Sequence, residues 1–249
     1  MRFHEFGDKQ NPTMILIHGV LTPWQIWDDQ IAHFSKKYHV IVPALDAHEE
    51  ERSTNYVSIE KEAEQIEQYC LETIGDKVEV LCGLSMGGAI AHVIWKNQRL
   101  KIASLVLDGA PLATYSRVLT KAMTGSYSSI IQKSKKRDAK TLANFKKNFL
   151  PEKYFESYLR IADNMDDSSV GNMVRSIATS LLDAHIPGDT RVLYIHGTAV
   201  NEMLSKKSAK LMKKAYPNAR IVCCKGCVHC EHAIYAPQKW TEIVENFLG

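Results

Sequence analysis

KVEVLCGLSMGGAIAHVIWKN, residues 77–97, carries three signals in succession. KVEVLC is a short apolar run rich in valine and reads as a strand; AIAHVIWKNQ reads as a helix. Between them, Gly83, Leu84, Ser85, Met86 and Gly87 spell G-x-S-x-G in the context of strand, sharp turn and helix that gives this pentapeptide a chemical meaning. Such a turn forces the serine into a strained backbone conformation and crowds its neighbours, which leaves room only for glycine. Gly88 extends the close approach of helix to strand. The spacing predicts that Ser85 Oγ stands exposed above a sheet at a helix N-terminus, where developing negative charge is favoured.

Outward from this stretch the same alternation continues. TMILIHG, HVIVPALD, IASLVLDGA, RVLYIHG and ARIVCCKG are further short, nearly continuous apolar runs, as expected of strands covered on both faces of a parallel sheet. SIEKEAEQIEQYCLETIG places Ile59, Ala63, Ile66, Tyr69 and Cys70 on one helical stripe, with Ser58 as N-cap and Gly75 as terminator. Alternating strands and helices predict an α/β fold with a doubly wound, mostly parallel sheet. Residues 112–187 interrupt the rhythm with helical patterns and no convincing strand. They read as an inserted helical cap, leaving residues 1–111 and 188–249 as the core. The first half of this insertion carries Arg117, Lys121, Lys133, Lys135, Lys136, Arg137, Lys140, Lys146 and Lys147 against one acid, Asp138. That run reads first as a solvated helix face and second as an attractor of anionic substrates.

Composition sets the outer limits. A chain of 249 residues is read as one domain with one large core, and 45% hydrophobic content is ordinary for a globular protein. A net charge of +3 gives no reason to expect nucleic acid or an acidic membrane. The opening MRFHEFGDKQNPT lacks a basic segment followed by an apolar run, and no later stretch approaches a membrane span, so a soluble, cytoplasmic protein is expected. Six cysteines, four of them crowded into CCKGCVHCEH at residues 223–232, do not form a spread disulfide framework; reduced thiols are the default.

His18-Gly19 ends an early strand, and G-x-S-x-G follows about two elements later. At this point the chain resembles the α/β-hydrolase superfamily, and the resemblance runs from this strand order through the helical insertion to the final helix, PQKWTEIVENFL. It implies that the backbone N–H groups of Val20 and Met86 form an oxyanion hole, that His18 is structural, and that Trp24 and Trp27 pack on the following helix, with a substrate-wall role for Trp24 as a lesser option. It also places the catalytic histidine in the loop after the last strand, where Gly226-Cys227-Val228-His229 fits; His232 is the reserve.

The acid departs from the family's spacing. After RVLYIHG, G-x-x-D would put a carboxylate at position 200, which is Val200. Glu202 is preferred, Asp108 at the end of SLVLDGA is the alternative acid, and Asn201 as a neutral orienter comes third, since an amide in this place costs about 10⁴ in turnover. Cys224, Cys227 and Cys230 form C-x-x-C-x-x-C, but no fourth cysteine and proline follow, and two-residue spacing wraps poorly around one tetrahedral ion. No metal and no cofactor are therefore expected, and the sulfurs read as bystanders of an active-site loop. The whole implies a serine hydrolase acting on a small ester-like molecule (a carboxylic ester, thioester or lactone), with Tyr115, Tyr127 and Phe145 as pocket or cap-core residues. A dehalogenase is disfavoured because Ser85 stands where that chemistry wants a carboxylate. A noncatalytic binding protein, or a C–C or amide hydrolase, are the alternatives. The oligomeric state is left open.

Overall fold

Apolar runs with few polar breaks lose their surface to water only if both faces are covered, and the chain meets this condition with a central sheet between helices. The computed structural model describes residues 1–249, all side chains but that of Asn148. Strands β1 (Arg2–Phe6), β2 (Thr13–Ile17), β3 (His39–Ala44), β4 (Lys77–Leu84), β5 (Lys101–Asp108), β6 (Arg191–Gly197) and β7 (Arg220–Cys224) form one sheet in the order β1-β3-β2-β4-β5-β6-β7. All neighbours are parallel except β1 and β3. The fold is thus the α/β, mostly parallel arrangement expected from the alternation of patterns.

Strand β1 was not foreseen. Its RFHEF mixes charge with aromatics and is half exposed at the sheet edge, so it lacks the apolar continuity that marks the central strands. It is held instead by rings: Phe3 stacks on Tyr69 with centroids 3.7 Å apart and His4 on Trp24 at 4.0 Å.

Helices α1 (Asp28–Phe34), α2 (Ile59–Thr73) and α3 (Met86–Asn97) follow β2, β3 and β4 in turn. Ser58 caps α2 by accepting the Lys61 N–H at 3.2 Å, and α3 is apolar on nearly every side because it is buried between the sheet and its neighbours. Four helices fill the interval between β5 and β6: α4 (Arg117–Lys135), α5 (Ala139–Asn148), α6 (Phe155–Asn164) and α7 (Asp167–Thr179). Ser116, Asp138 and Asp166 cap three of them by accepting backbone N–H groups at 3.2, 2.8 and 2.6 Å. Their shared core holds Ile131, Phe145 and Tyr158, the last two stacked at 4.0 Å. Helix α8 (Met203–Ala215) precedes β7, and α9 (Glu231–Tyr235) and α10 (Pro237–Leu248) close the chain. Trp27 is buried against Trp240 of α10, 5.1 Å between centroids, and ties that helix to α1. No described helix is long and apolar enough to cross a membrane.

The register places the ends of the parallel strands side by side: Ile17 pairs with Gly83, Leu84 with Asp108, Asp108 with Ile195 and Gly197 with Cys224. Every loop leaving these carboxyl ends therefore opens onto one crevice. The turn from β4 into α3 is tightly packed. A Cβ on Gly87 would lie 2.3 Å from the Ile17 carbonyl oxygen, so the start of α3 sits directly on β2. Gly87→Ala is expected to lower stability by about 3 kcal/mol. Gly125→Ala, in an open position of α4, should raise it by about 1 kcal/mol. Urea denaturation of both variants checks the pair, and a neutral Gly87→Ala would contradict this packing.

Candidate active site

Ser85 follows β4 directly and has φ 53° and ψ −115°, a sparsely populated conformation for a residue with a side chain. The strain is held from both sides. The Ser85 N–H donates to the Asp108 carbonyl at 2.7 Å, and the Ser85 carbonyl accepts from Gly88 N at 2.9 Å. The hydroxyl is thereby turned out at the N-terminus of α3, where the Met86 N–H lies outside the helix's own hydrogen-bond ladder.

His229 reaches Ser85 from the loop between β7 and α9. Its Nε2 is 2.9 Å from Ser85 Oγ, and its Nδ1 is hydrogen-bonded to Glu202 Oε1. Gly109, at φ +64°, makes room for the ring: a Cβ there would be 2.5 Å from His229 Cε1. Glu202 closes a single 3₁₀ turn, Val200–Glu202, after β6. Two backbone bonds set its reach, Thr198 N–H and Ala199 N–H both donating to the Cys227 carbonyl at 3.1 Å, so the β6 loop is laced to the loop that carries His229. The second carboxylate oxygen of Glu202 accepts the Gly197 N–H at 2.7 Å.

Their surroundings shift the two carboxyls in opposite directions. Burial pushes the Glu202 carboxyl up, but the hydrogen bond and charge of His229, with the Gly197 N–H and the Ser205 hydroxyl, hold it below its ordinary value. Burial raises Asp108 to about 7, despite the nearby His229 and the Trp240 indole, and among the described residues its side chain accepts from Trp240 Nε1–H alone, at 3.1 Å. Asp108 therefore meets the site through its backbone carbonyl, not its carboxylate. Asn201 lines the cavity, and among the described residues the hydrogen bonds of the His229 ring go to Glu202 and Ser85 instead. His232 lies apart, its Nδ1 3.4 Å from Cys224 Sγ and its Nε2 3.4 Å from Cys227 Sγ. Cys230 turns the other way, its thiol 3.5 Å from the Asp108 carbonyl. Among the described residues no trio of metal-ligating groups is placed to hold an ion, and all six cysteines are free. Burial pushes the Cys224 thiol to about 12 and those of Cys227 and Cys230 upward as well, which keeps them protonated.

The loop after β2 passes over the serine: a Cβ on Gly19 would lie 3.3 Å from Ser85 Cβ. Two fully buried histidines pin it. His18 donates from Nδ1 to the Gly19 carbonyl at 2.9 Å and accepts the Leu45 N–H at 3.1 Å. His48 accepts the Leu21 N–H at Nε2, 3.0 Å, and donates from Nδ1 to the Asp46 carbonyl at 3.1 Å. Burial drives His18 well below its ordinary value and His48 to about 4, so both stay neutral and keep one donor and one acceptor. Leu21 is held at φ 57°, and the Val20 N–H has no acceptor among the described residues. His48 escaped the sequence reading because a lone histidine in the acidic stretch LDAHEEE gives no periodic signal. Its only cue was the place just after a strand end. Trp24 lies away from this crevice, stacked on His4, and so does not form a substrate wall.

A family model described as the alpha/beta hydrolase fold matches residues 12–235. Among solved structures, a hydrolase of Pseudomonas aeruginosa PA01 superposes with a TM-score of 0.78 at 18% identity, over 99% of this chain and 93% of that one. A structure from work on carboxylesterases of the ammonia-oxidizing thaumarchaeon Nitrososphaera gargenis gives 0.76 at 17%, over 99% and 93%. A thermophilic esterase of Thermogutta terrifontis gives 0.74 at 19%, over 99% and 92%. At such identities the likeness is one of fold. No curated protein matches the chain in sequence.

The upward shift of Asp108 has a measurable consequence. Between its unfolded value of 3.8 and its folded value of about 7, the unfolded chain has released a proton that the folded chain keeps. This group's contribution to stability therefore falls as pH rises through that window and levels off above it. Asp108→Asn, which keeps an acceptor for Trp240, removes this slope. Its stability relative to the unsubstituted protein should rise with pH across the window and then stay constant. Urea denaturation of both proteins over this pH range tests it; parallel curves would mean that Asp108 is ionised in the fold.

Proposed function

The chain belongs to the alpha/beta hydrolase fold family, and we propose that within it the protein is a serine hydrolase cleaving a carboxylic ester, thioester or lactone through an acyl-enzyme intermediate. The observation that carries this reading is the unbroken contact from Ser85 Oγ to His229 Nε2, at 2.9 Å, and from His229 Nδ1 to Glu202. Ser85 Oγ attacks the acyl carbon while His229 Nε2 takes its proton. The tetrahedral oxyanion is received by the backbone N–H groups of Val20 and Met86. Collapse breaks the bond to the leaving group, which takes the proton from His229. Water then attacks the acyl-serine, passes a proton to His229, and the acid departs as Ser85 regains its hydrogen. Glu202 fixes the imidazole tautomer and stabilises its transient positive charge. Residues 112–187 act as a cap over the site. Esterase structures among the fold relatives support this chemistry by analogy.

The rival reading, a binding protein that has lost its acid, rested on Val200 at the expected position. The contact of Glu202 with His229 takes away that reason.

Hydrolysis of p-nitrophenyl esters should vanish in Ser85→Ala and fall about 10⁴-fold in Glu202→Gln. Asp108→Asn should stay within a few-fold of the unsubstituted protein. A fluorophosphonate should label Ser85, as read by mass spectrometry of the tryptic peptide. Full turnover in Glu202→Gln would remove Glu202 from the mechanism, and an unlabelled Ser85 would turn the reading to a binding protein.

A further inference from the structure

The cavity above Ser85 is about 440 Å³ in volume and apolar through most of its wall. Helix α4 supplies one side of it with Leu119, Met123, Tyr127 and Ile130, a single stripe at helical spacing. The same helix turns Arg117, Lys121 and Lys133 to solvent. Other cations of the insertion are engaged elsewhere: Lys135 donates to the Met165 carbonyl at 2.6 Å and Arg137 pairs with Asp163 at 2.7 Å. The described residues lining the cavity include no lysine, arginine, aspartate or glutamate. The basic run is thus divided between solvent and contacts within the insertion, and it offers no counter-charge to a substrate inside. A carboxylate or ammonium entering this wall would lose its hydration with no fixed opposite charge to offset the loss.

The apolar lining does not stop at the protein surface. Val200 and Met203, which flank Glu202, line the same cavity and are 86% and 67% exposed; Phe149 and Tyr235 are likewise both lining and exposed. Large apolar side chains left in water at a cavity mouth mark a surface that a ligand covers.

We propose that the substrate is an uncharged ester with an extended apolar chain, which runs from Ser85 along the α4 stripe and leaves across the Val200–Met203 rim. This rests on the serine-hydrolase reading and narrows it. Binding along such a wall buries successive methylenes, and each adds to the free energy of reaching the reactive complex.

The test uses the intact protein and a series of alkyl fluorophosphonates from ethyl to dodecyl, with one long member ending in a carboxylate. Ser85 Oγ displaces fluoride from phosphorus and its proton passes to His229, so the rate of Ser85 labelling reports binding whatever the natural leaving group is. The labelling rate constant should rise about 4-fold per added methylene, which corresponds to about 0.8 kcal/mol for each CH₂ removed from water. The carboxylate-tipped probe should react at least about 10²-fold more slowly than the alkyl probe of equal length. Leu119→Lys, at a half-open position of the wall, should narrow that gap at least about 10-fold by supplying the missing counter-charge. Labelling of Ser85 that is insensitive to chain length, or faster with the carboxylate in the unsubstituted protein, overturns the substrate class and leaves the serine mechanism standing. Failure of every probe to label Ser85 overturns both.

Discussion

The backbone conformation of Ser85 is the constraint on which the rest of this structure depends. At φ 53° and ψ −115° it costs of the order of 1–3 kcal/mol, and it persists only because neighbouring elements leave the chain no alternative. The Asp108 carbonyl holds its N–H, and α3 starts in contact with β2 through Gly87. The packed sheet and helix thus hold the Ser85 hydroxyl in a fixed place. With the parallel strands in register, the loops bearing Gly19, Gly109, Glu202 and His229 open on the same crevice.

Electrostatics then separates groups that are chemically alike. Asp108 and Glu202 are both buried carboxylic acids near His229. Glu202 receives a histidine, a backbone N–H and a serine hydroxyl; Asp108 receives one indole N–H and little else. The first is held as an anion and the second is pushed toward the neutral acid, which is the difference between an acid that can stabilise an imidazolium and one that packs. The histidines divide in a parallel way. His18 and His48 are enclosed, neutral and spent on backbone groups of the loop over Ser85, whereas His229 keeps one nitrogen on a carboxylate and one on a hydroxyl.

Helix α4 shows how one amphipathic segment does two jobs. Its apolar stripe faces the cavity while Arg117, Lys121 and Lys133 face water, so a run that looks strongly charged in the sequence contributes a neutral wall to the cavity. The rows of a helix point in different directions, and net charge along the chain says nothing about which row meets the ligand.

Much was legible in the chain before any coordinates. The central strands, α2 with its Ser58 cap and the sharp turn at Ser85 are written in apolar continuity, helical periodicity and glycine placement, signals that act over a few residues. The loop of His229 was legible because it follows the last such strand. Other features were not. β1 is held by ring contacts at an exposed edge and carries no apolar pattern of its own. His48 acts on Leu21, a residue 27 positions away. The sequence left Glu202, Asp108 and Asn201 as rivals and left C-x-x-C-x-x-C beside a histidine open to several readings. Tertiary structure alone brings Glu202 to His229, sends Cys230 to Asp108 and sets Cys224 and Cys227 around His232. The reason is physical: secondary structure follows from local backbone and side-chain preferences, but which carboxylate meets which imidazole depends on backbone hydrogen bonds between loops nearly 30 residues apart, Thr198 and Ala199 to Cys227, and these exist only once the sheet has brought β6 beside β7.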